Sequence, residues 1–257
     1  MPRLLIKLIS IIGLLPKIEV RFTSDIVNLS KIYQNPIKKF LYENNILYTK
    51  KIHIVNSRAY DIYLQNKSKI NENYIVHLDA SLNHYHETDL VGKRNSQILN
   101  NHYFHLKEFL LQLSKAYKKK IIVCIHPSYN LAEHQNYFQD FKVLKFVTRE
   151  YIYKAFIVTV FDSSAIIDAV VLNKKIIGLY SEFMNKNEKI HSTQFSKLIG
   201  YKIMNTQDKF NKKILLNELN NNILKYKKYI SQYMLHKHGA SGSDMIIKYL
   251  KEKFNIF

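Results

Sequence analysis

Residues 156–179 of the chain read FIVTVFDSSAIIDAVVLNKKIIGL. Residues 156–160 and 175–179 are mostly apolar and rich in β-branched side chains, which predicts two buried strands. Between them, the triplet Asp162-Ser163-Ser164 is followed by an apolar run that ends at Leu172 and predicts a helix. A helix that connects two buried strands is typical of a βαβ unit with parallel strands.

The same alternation extends towards the amino terminus. Strands are predicted at residues 74–78, 121–125 and 143–147, and a short helix at residues 149–155. The clearest helix lies between the first two strands, because apolar side chains spaced by threes and fours form one stripe from Leu99 to Tyr117. Together these elements predict an α/β protein with a Rossmann-like open parallel sheet flanked by helices.

A polar segment at residues 65–73 separates two α/β patterns and predicts a domain boundary. Residues 1–72 contain two strand patterns and a helix that begins near Pro36, so we interpret them as a partial N-terminal βαβ piece. Residues 73–257 contain the main sheet, followed by two helices with apolar stripes that we expect to pack against it.

The composition predicts a folded chain with a large excess of positive charge. Of its 257 residues, 47% are hydrophobic and 13% aromatic, which is enough to form a core. It has 39 Lys and Arg residues against 20 Asp and Glu residues, a net charge of +19. Such a charge attracts anions, so nucleic acid, anionic lipid and phosphorylated substrates are candidate partners. An AT-rich coding sequence produces the same richness in Lys, Asn, Ile and Tyr, so charge alone does not choose among these partners.

Two features predict the cellular compartment. Residues 4–15 are apolar apart from Lys7 and Ser10, but the run is too short to span a bilayer and no small-residue cleavage site follows it. We interpret it as a buried or interfacial helix rather than a signal peptide. The single cysteine, Cys124, lies in a predicted buried strand and cannot form an internal disulfide. A cytoplasmic protein that can rest on the inner face of the cytoplasmic membrane is therefore expected.

Polar groups follow three of the predicted strands. They are Asp79, His126-Pro127 and Asp162-Ser163-Ser164. Open α/β sheets bind ligands at the carboxyl ends of their strands, which makes these groups candidates for a site. The serine pair precedes a helix, whose free N–H groups suit a phosphate, although capping of that helix by Asp162 or Ser163 explains the same residues. His126 could donate to a phosphate, act as an acid or base, or only hold its loop.

The segment that begins at Asp79 is dense in ionisable side chains, among them His84, His86 and Asp89. A metal site there is conceivable, but loop residues have no fixed ligand spacing, and the prediction is a site without metal. A carboxylate here, Asp79 in particular, could instead be the general base on an acceptor hydroxyl. The sequence has no P-loop, Gly-rich dinucleotide fingerprint or nucleophile elbow, which argues against P-loop nucleotidases, dehydrogenases and α/β-hydrolases.

Four short motifs occur in a fixed order. They are IHP at residues 125–127, TRE at 148–150, FDSSA at 161–165 and NKKII at 173–177. Their order and spacing resemble the donor domain of bacterial GT-B glycosyltransferases. The resemblance is greatest to capsule and lipopolysaccharide enzymes with an HP motif and a serine pair, including CMP-sugar users such as sialyltransferases and Kdo transferases.

The resemblance implies a transferase that moves a sugar from a nucleotide-sugar donor, CMP-linked, to a bacterial surface glycan. The implied partners are the donor and a glycan or lipid-linked acceptor, with no metal and no cofactor. The net charge and the apolar run at residues 4–15 add peripheral contact with an anionic membrane, and the lack of a recognised RNA-binding motif predicts no nucleic-acid partner. The implied nucleotide-binding and phosphate-binding residues are His126, Pro127, Thr148, Asp162, Ser163 and Ser164. The candidate catalytic residues are Asp79 and His126.

The resemblance covers about residues 50–185. GT-B enzymes have two Rossmann-like domains, and residues 1–72 are too few for a second one, so we interpret them as the remnant of an acceptor domain. Two alternative functions stay open: a glycerophosphotransferase that uses CDP-glycerol, and a non-catalytic donor-domain fragment. A nucleic-acid-binding protein is a third alternative, and only the net charge favours it.

Overall fold

The computed structural model describes residues 18–23, 49–65, 73–79, 95–235 and 239–254. The predicted helices at residues 4–15 and near Pro36 lie outside these ranges, as do His84, His86 and Asp89. The chain divides into two compact units, one formed by Met1–Lys67 with Tyr229–Phe257 and the other by Ser68–Lys228. The predicted boundary was residue 72, with the whole C-terminal segment joined to the main sheet. The interpretation of residues 1–72 as the remnant of an acceptor domain stays a prediction.

Strands and helices alternate along most of the described chain. The strands are β1 (Ile18–Thr23), β2 (Thr49–Ile54), β3 (Tyr74–Asp79), β4 (Lys120–Ile125), β5 (Lys142–Lys145), β6 (Ala155–Val160), β7 (Lys175–Tyr180) and β8 (Lys202–Asn205). The helices are α1 (Arg58–Gln65), α2 (Ser96–Tyr117), α3 (Leu131–Tyr137), α4 (Thr148–Tyr153), α5 (Ile166–Val171), α6 (Lys186–Ile199), α7 (Lys212–Tyr233) and α8 (Gly242–Phe254).

The larger unit contains a sheet of six strands in the order β5-β4-β3-β6-β7-β8, and every neighbouring pair is parallel. The predicted Rossmann-like open parallel sheet flanked by helices is therefore confirmed. The chain winds from β3 through β4 to β5, returns past β3 to β6 and then continues outwards to β8. The winding direction thus reverses between β3 and β6, and such a reversal opens the crevice where sheets of this kind bind ligands.

The central strands form this sheet because their apolar side chains cover both faces. β3, β4 and β6 each have five buried residues out of six, the pattern of a parallel sheet with helices on both sides. On one face the predicted stripe of α2 packs on the sheet, and Leu106, Phe109 and Leu110 are completely buried. Right-handed crossovers place α2 and α3 on this face and α4, α5 and α6 on the other.

Three elements of the larger unit, β8, α3 and α6, have no counterpart among the predicted ones. β8 has only four residues, KIMN, and α3 reads LAEHQNY, so neither sequence shows the periodic apolar pattern that predicts a strand or a helix. The predicted helix after the serine pair is also shorter than expected, since α5 has six residues. Short elements depend on their neighbours for stability, and their own sequences indicate them weakly.

In the smaller unit, α8 begins at a carboxylate that is distant in sequence. Asp61 of α1 accepts hydrogen bonds from the backbone N–H groups of Gly242 and Ser243 at 2.5 and 3.2 Å, and from the Ser243 hydroxyl at 3.1 Å. A negative side chain at the first N–H groups of a helix satisfies donors that have no intrahelical partner and complements the helix dipole. Asp61 is itself buried, so this contact ties α8 to α1.

Substitution of Asp61 by alanine is expected to lower the free energy of unfolding by about 0.5–2 kcal/mol, because the N–H groups of Gly242 and Ser243 lose their acceptor. Asp61→Asn keeps one side-chain oxygen and should lose less. Urea unfolding followed by circular dichroism measures both variants. Equal midpoints for the wild type and Asp61→Ala would show that the cap contributes nothing to stability.

Candidate functional site

The three groups predicted from the sequence lie at one edge of the sheet. β3 pairs with β4 on one side and with β6 on the other, in a register that places Asp79 opposite Ile125 and Leu78 opposite Val160. The strands are parallel, so Asp79 at the end of β3 lies at the same edge as His126 after β4 and the Asp162 triplet after β6. β4 and β6 are two strand spacings apart, or about 10 Å, with β3 between them.

His126 lies at the surface of this edge, in the loop between β4 and α3. The backbone N–H of Ser128 donates to its Nδ1 atom at 3.2 Å, and the Ser128 hydroxyl lies 2.7 Å from the same atom. A backbone N–H can only donate, so Nδ1 is an acceptor and the proton of the neutral ring is on Nε2. The local structure thus orients His126 as a hydrogen-bond donor. Pro127 is exposed beside it.

The serine pair lies between β6 and α5. Ser163 is partly buried, its hydroxyl accepts from the N–H of Ala165 at 3.4 Å, and its carbonyl accepts from the N–H of Ile166. Ser164 is exposed. The N-cap residue of α5 is Ala165, which makes no side-chain capping hydrogen bond, so the capping by Asp162 or Ser163 that the sequence left open is not present.

Asp162 and Thr148 face neighbouring side chains. Burial raises the pKa of Tyr201, and the negative charge of the nearby Asp162 carboxylate raises it further. Burial raises the pKa of the Cys124 thiol to about 12. A hydrogen bond with Thr148 lowers the same pKa by a smaller amount. Cys124 is buried in β4 as predicted. The phosphate-binding roles of Asp162 and Thr148 stay predictions.

Directly beneath the edge, three ionisable side chains form a buried cluster. The Asp79 carboxylate lies 3.2 Å from His134 Nε2 and 3.5 Å from His77 Nε2, and all three side chains are almost fully excluded from solvent. Burial by itself would raise the pKa of Asp79, but hydrogen bonds from the two histidines outweigh it and hold the pKa well below its ordinary value. Asp79 is therefore an ionised carboxylate.

The contacts of His134 fix the position of one of its ring protons. Its Nδ1 lies 2.9 Å from the carbonyl oxygen of Asn130, which can only accept, and its Nε2 faces the ionised Asp79. Nδ1 therefore donates to this carbonyl, and Nε2 lies where a protonated ring would form an ion pair with Asp79. His77 Nδ1 lies 3.0 Å from the Thr159 hydroxyl, which can donate to it. This cluster is the part of the site that the sequence analysis missed.

The cluster holds the His126 loop against the sheet. The ring of His134 stacks on Tyr129 at 5.3 Å and 7°, and the Tyr129 ring lies 5.3 Å from His126. The carbonyl of Tyr129 also accepts a hydrogen bond from Lys145 at 2.8 Å. Asp79 thus helps to position the His126 loop, because it contacts His134, which stacks on Tyr129 beside His126. Its burial argues for this positioning role, and the role of general base stays a prediction.

The described residues contain neither a cluster of metal ligands nor a helix that could span a membrane. No group of three or more His, Cys, Asp or Glu side chains in the described ranges has an arrangement that could hold a metal ion. Among the same residues, no helix combines the length and apolar character needed to cross a bilayer.

No family model and no curated protein matches the chain. Among solved structures, it is similar to UDP-GlcNAc 2-epimerase of Methanocaldococcus jannaschii in complex with UDP-GlcNAc and UDP, with 17% identity and a TM-score of 0.43 over 84% of this chain and 59% of that chain. It is also similar to UGT89C1 of Arabidopsis thaliana complexed with UDP, with 9% identity and a TM-score of 0.41 over 91% and 67% of the two chains.

The calicheamicin glycosyltransferase CalG4 gives 9% identity and a TM-score of 0.37 over 98% of this chain and 59% of its own. The chain therefore spans about three fifths of the length of the epimerase and of CalG4. Likeness at these TM-scores and identities does not assign the chain to a family or transfer an activity to it. The site is defined by its own geometry.

Proposed function

We propose that the carboxyl edge of the sheet binds the phosphates of a nucleotide-sugar, and that the chain is the donor-binding part of a glycosyltransferase. One observation carries the proposal: His126 and the Ser163–Ser164 pair follow the two strands that flank β3, at the reversal of the sheet. A donor nitrogen, hydroxyl groups and backbone N–H groups at such an edge suit a phosphate or diphosphate.

In the proposed reaction, an acceptor hydroxyl oxygen forms a bond to the anomeric carbon of the donor sugar. The bond between that carbon and the phosphate oxygen breaks, and the nucleotide leaves with the electron pair. The proton of the acceptor passes to a general base. His126 Nε2 and the serine hydroxyls would stabilise the charge that develops on the leaving phosphate.

The finer assignments come from the four sequence motifs. They favour a CMP-linked donor, a bacterial surface glycan as acceptor and a place of action at the inner face of the cytoplasmic membrane. The net charge of +19 supports contact with anionic substrates and with an anionic bilayer. A glycerophosphotransferase that uses CDP-glycerol would need the same phosphate-binding edge, so the two activities differ in the group transferred.

The proposal predicts that His126→Ala and the double variant Ser163→Ala/Ser164→Ala each weaken nucleotide binding about tenfold, or about 1.4 kcal/mol. Each variant removes donors to phosphate and leaves the core unchanged. Isothermal titration calorimetry with CMP, CDP and UDP measures the affinities. Ser114→Ala is the matched control, because Ser114 lies near the end of α2, where its hydroxyl donates to the carbonyl of Lys119.

Two results would contradict the proposal: no measurable binding of CMP, CDP or UDP by the wild type, or affinities in both edge variants equal to that of Ser114→Ala. Product analysis with a CMP-sugar and with CDP-glycerol then separates the two transferase activities. Binding without turnover of either donor would support the non-catalytic fragment.

A further inference from the structure

The amino edge of the six-stranded sheet, opposite the candidate site, is rich in lysine. The strands β4, β5 and β7 each begin with a lysine, namely Lys120, Lys142 and Lys175. Because the strands are parallel, these three residues lie at the same edge. From β5 to β7 is four strand spacings, or about 19 Å. Positive charge is therefore spread along this side of the sheet.

Two further lysines join the same edge from the helices. Lys118 follows the last residue of α2, two residues before β4, and is exposed. Lys212 begins α7; its carbonyl accepts from the Tyr117 hydroxyl at 3.3 Å, and its Nζ lies 5.5 Å from the centroid of the Tyr117 ring. We call the five residues the amino-edge lysines: Lys118, Lys120, Lys142, Lys175 and Lys212.

Aromatic rings hold several of these ammonium groups in place. Lys175 Nζ lies 4.6 Å from the centroid of the Phe156 ring, which in turn lies 5.6 Å from that of Tyr117. Lys142 Nζ lies 5.8 Å from the centroid of the Tyr151 ring and donates to its hydroxyl at 3.4 Å. A cation thus lies over each of these three rings. A partner that approaches the edge meets ammonium groups before it meets an aromatic face.

The carboxylates of neighbouring segments do not neutralise this edge. In the part of the chain that the structure describes, no Asp or Glu forms an ion pair with an amino-edge lysine. Asp140, Glu150 and Glu218 each pair with a different lysine, namely Lys107, Lys154 and Lys202 in that order. The five positive charges therefore remain available to an anionic partner.

We propose that the amino-edge lysines form a docking surface for an anionic lipid bilayer. Clusters of about four to eight basic residues attract anionic headgroups. All five cations are lysines, whose compact charge lacks the planar fork with which arginine recognises single phosphates. The rings beneath them are covered, so they offer no free face on which a base could stack. Both features favour a layer of headgroups over a nucleic acid.

The docking surface and the candidate site lie at opposite ends of the strands. A bilayer at the amino edge would leave His126 and the serine pair open to solution. The inference therefore does not depend on the proposed function, and either can fail without the other.

Vesicle co-sedimentation tests the proposal. The full chain should bind vesicles of phosphatidylglycerol and phosphatidylcholine, should not bind pure phosphatidylcholine, and should lose affinity as salt is raised. Lys120→Gln/Lys142→Gln should weaken binding about tenfold or more, because each lysine near the surface contributes to the attraction. Lys120→Arg/Lys142→Arg keeps both charges and should bind like the wild type.

Lys186→Gln/Lys209→Gln is the matched control. It removes the same charge from two exposed lysines that follow the carboxyl ends of β7 and β8, so it should bind vesicles like the wild type. Thermal unfolding followed by circular dichroism should be the same for both glutamine variants, since all four lysines are exposed.

Three results would overturn the proposal. They are equal vesicle binding by the two glutamine variants, equal binding of the wild type to anionic and to neutral vesicles, and no binding to anionic vesicles. Fluorescence anisotropy with labelled single-stranded RNA and double-stranded DNA adds a further outcome. If only nucleic acid binds, and Lys120→Gln/Lys142→Gln weakens that binding, the edge is a nucleic-acid surface and the bilayer is wrong.

Discussion

Asp79→Asn is expected to lower the free energy of unfolding by about 3–5 kcal/mol, the range for removing one partner of a buried ion pair. The carboxylate is enclosed by His134 Nε2 at 3.2 Å and His77 Nε2 at 3.5 Å. Asparagine has the same shape but no charge, so the two buried histidines that face Asp79 lose their anionic partner. One amide N–H group would also face a histidine donor. Urea unfolding at neutral pH measures the difference.

The loss should shrink in acid, because the pKa of Asp79 is held below its ordinary value in the folded protein. A carboxyl group of this kind stabilises the fold at pH values above its unfolded pKa of about 3.9, and the contribution disappears as pH falls towards the folded pKa. The wild type should therefore lose more stability than Asp79→Asn between about pH 5 and about pH 2. Unfolding curves of both proteins across this range give the comparison.

Asp140→Asn is the matched control for the buried carboxylate. Asp140 pairs with Lys107, but its side chain is 54% exposed, so its removal should change stability by less than about 1 kcal/mol. A loss in Asp79→Asn no larger than that in Asp140→Asn would contradict the stabilising role of the buried cluster.

Gly178→Val is expected to lower the free energy of unfolding by about 3 kcal/mol, at the upper end of the range for overpacking. A Cβ atom on Gly178 would lie 2.6 Å from Cε2 of Tyr201 and 3.3 Å from Cγ1 of Ile203. The Tyr201 ring is buried and packs against β7 at this glycine, so an added side chain must displace it. Gly178→Ala should lose less, because it adds only the first of the three carbons.

A double-mutant cycle tests the cause. In a Tyr201→Ala background the ring is absent, and Gly178→Ala should have little or no further effect on the urea midpoint. The same loss in both backgrounds would show that the cost comes from the strand itself and that contact with Tyr201 plays no part.

The sequence predicted the central sheet because its signals are local. β3, β4, β6 and β7 are short apolar runs that end at polar residues, and the period of α2 is continuous for more than five turns. Parallel strands all end at the same edge, so the order of polar residues after them was enough to place His126 and the serine pair together. Such a prediction needs no knowledge of which strands are neighbours.

The contacts within the buried cluster could not be predicted from local sequence patterns. His77 and Asp79 alternate along β3 and so share a face, a pattern that the sequence contains. His134 lies on α3, a seven-residue helix with little apolar pattern, and nothing in its sequence indicates that it faces Asp79. Only the packing of α3 on the sheet brings the two together, and that contact makes Asp79 a buried counterion.

By itself, the sequence determined the α/β class, the strand–helix alternation and the residues at the carboxyl ends of the strands. The tertiary structure alone decided the strand order, the reversal between β3 and β6, the burial of Asp79 and the position of Lys212 at the amino edge. The reason is physical: strand and helix patterns depend on neighbours in the chain, whereas charge state, burial and long-range contacts depend on neighbours in space.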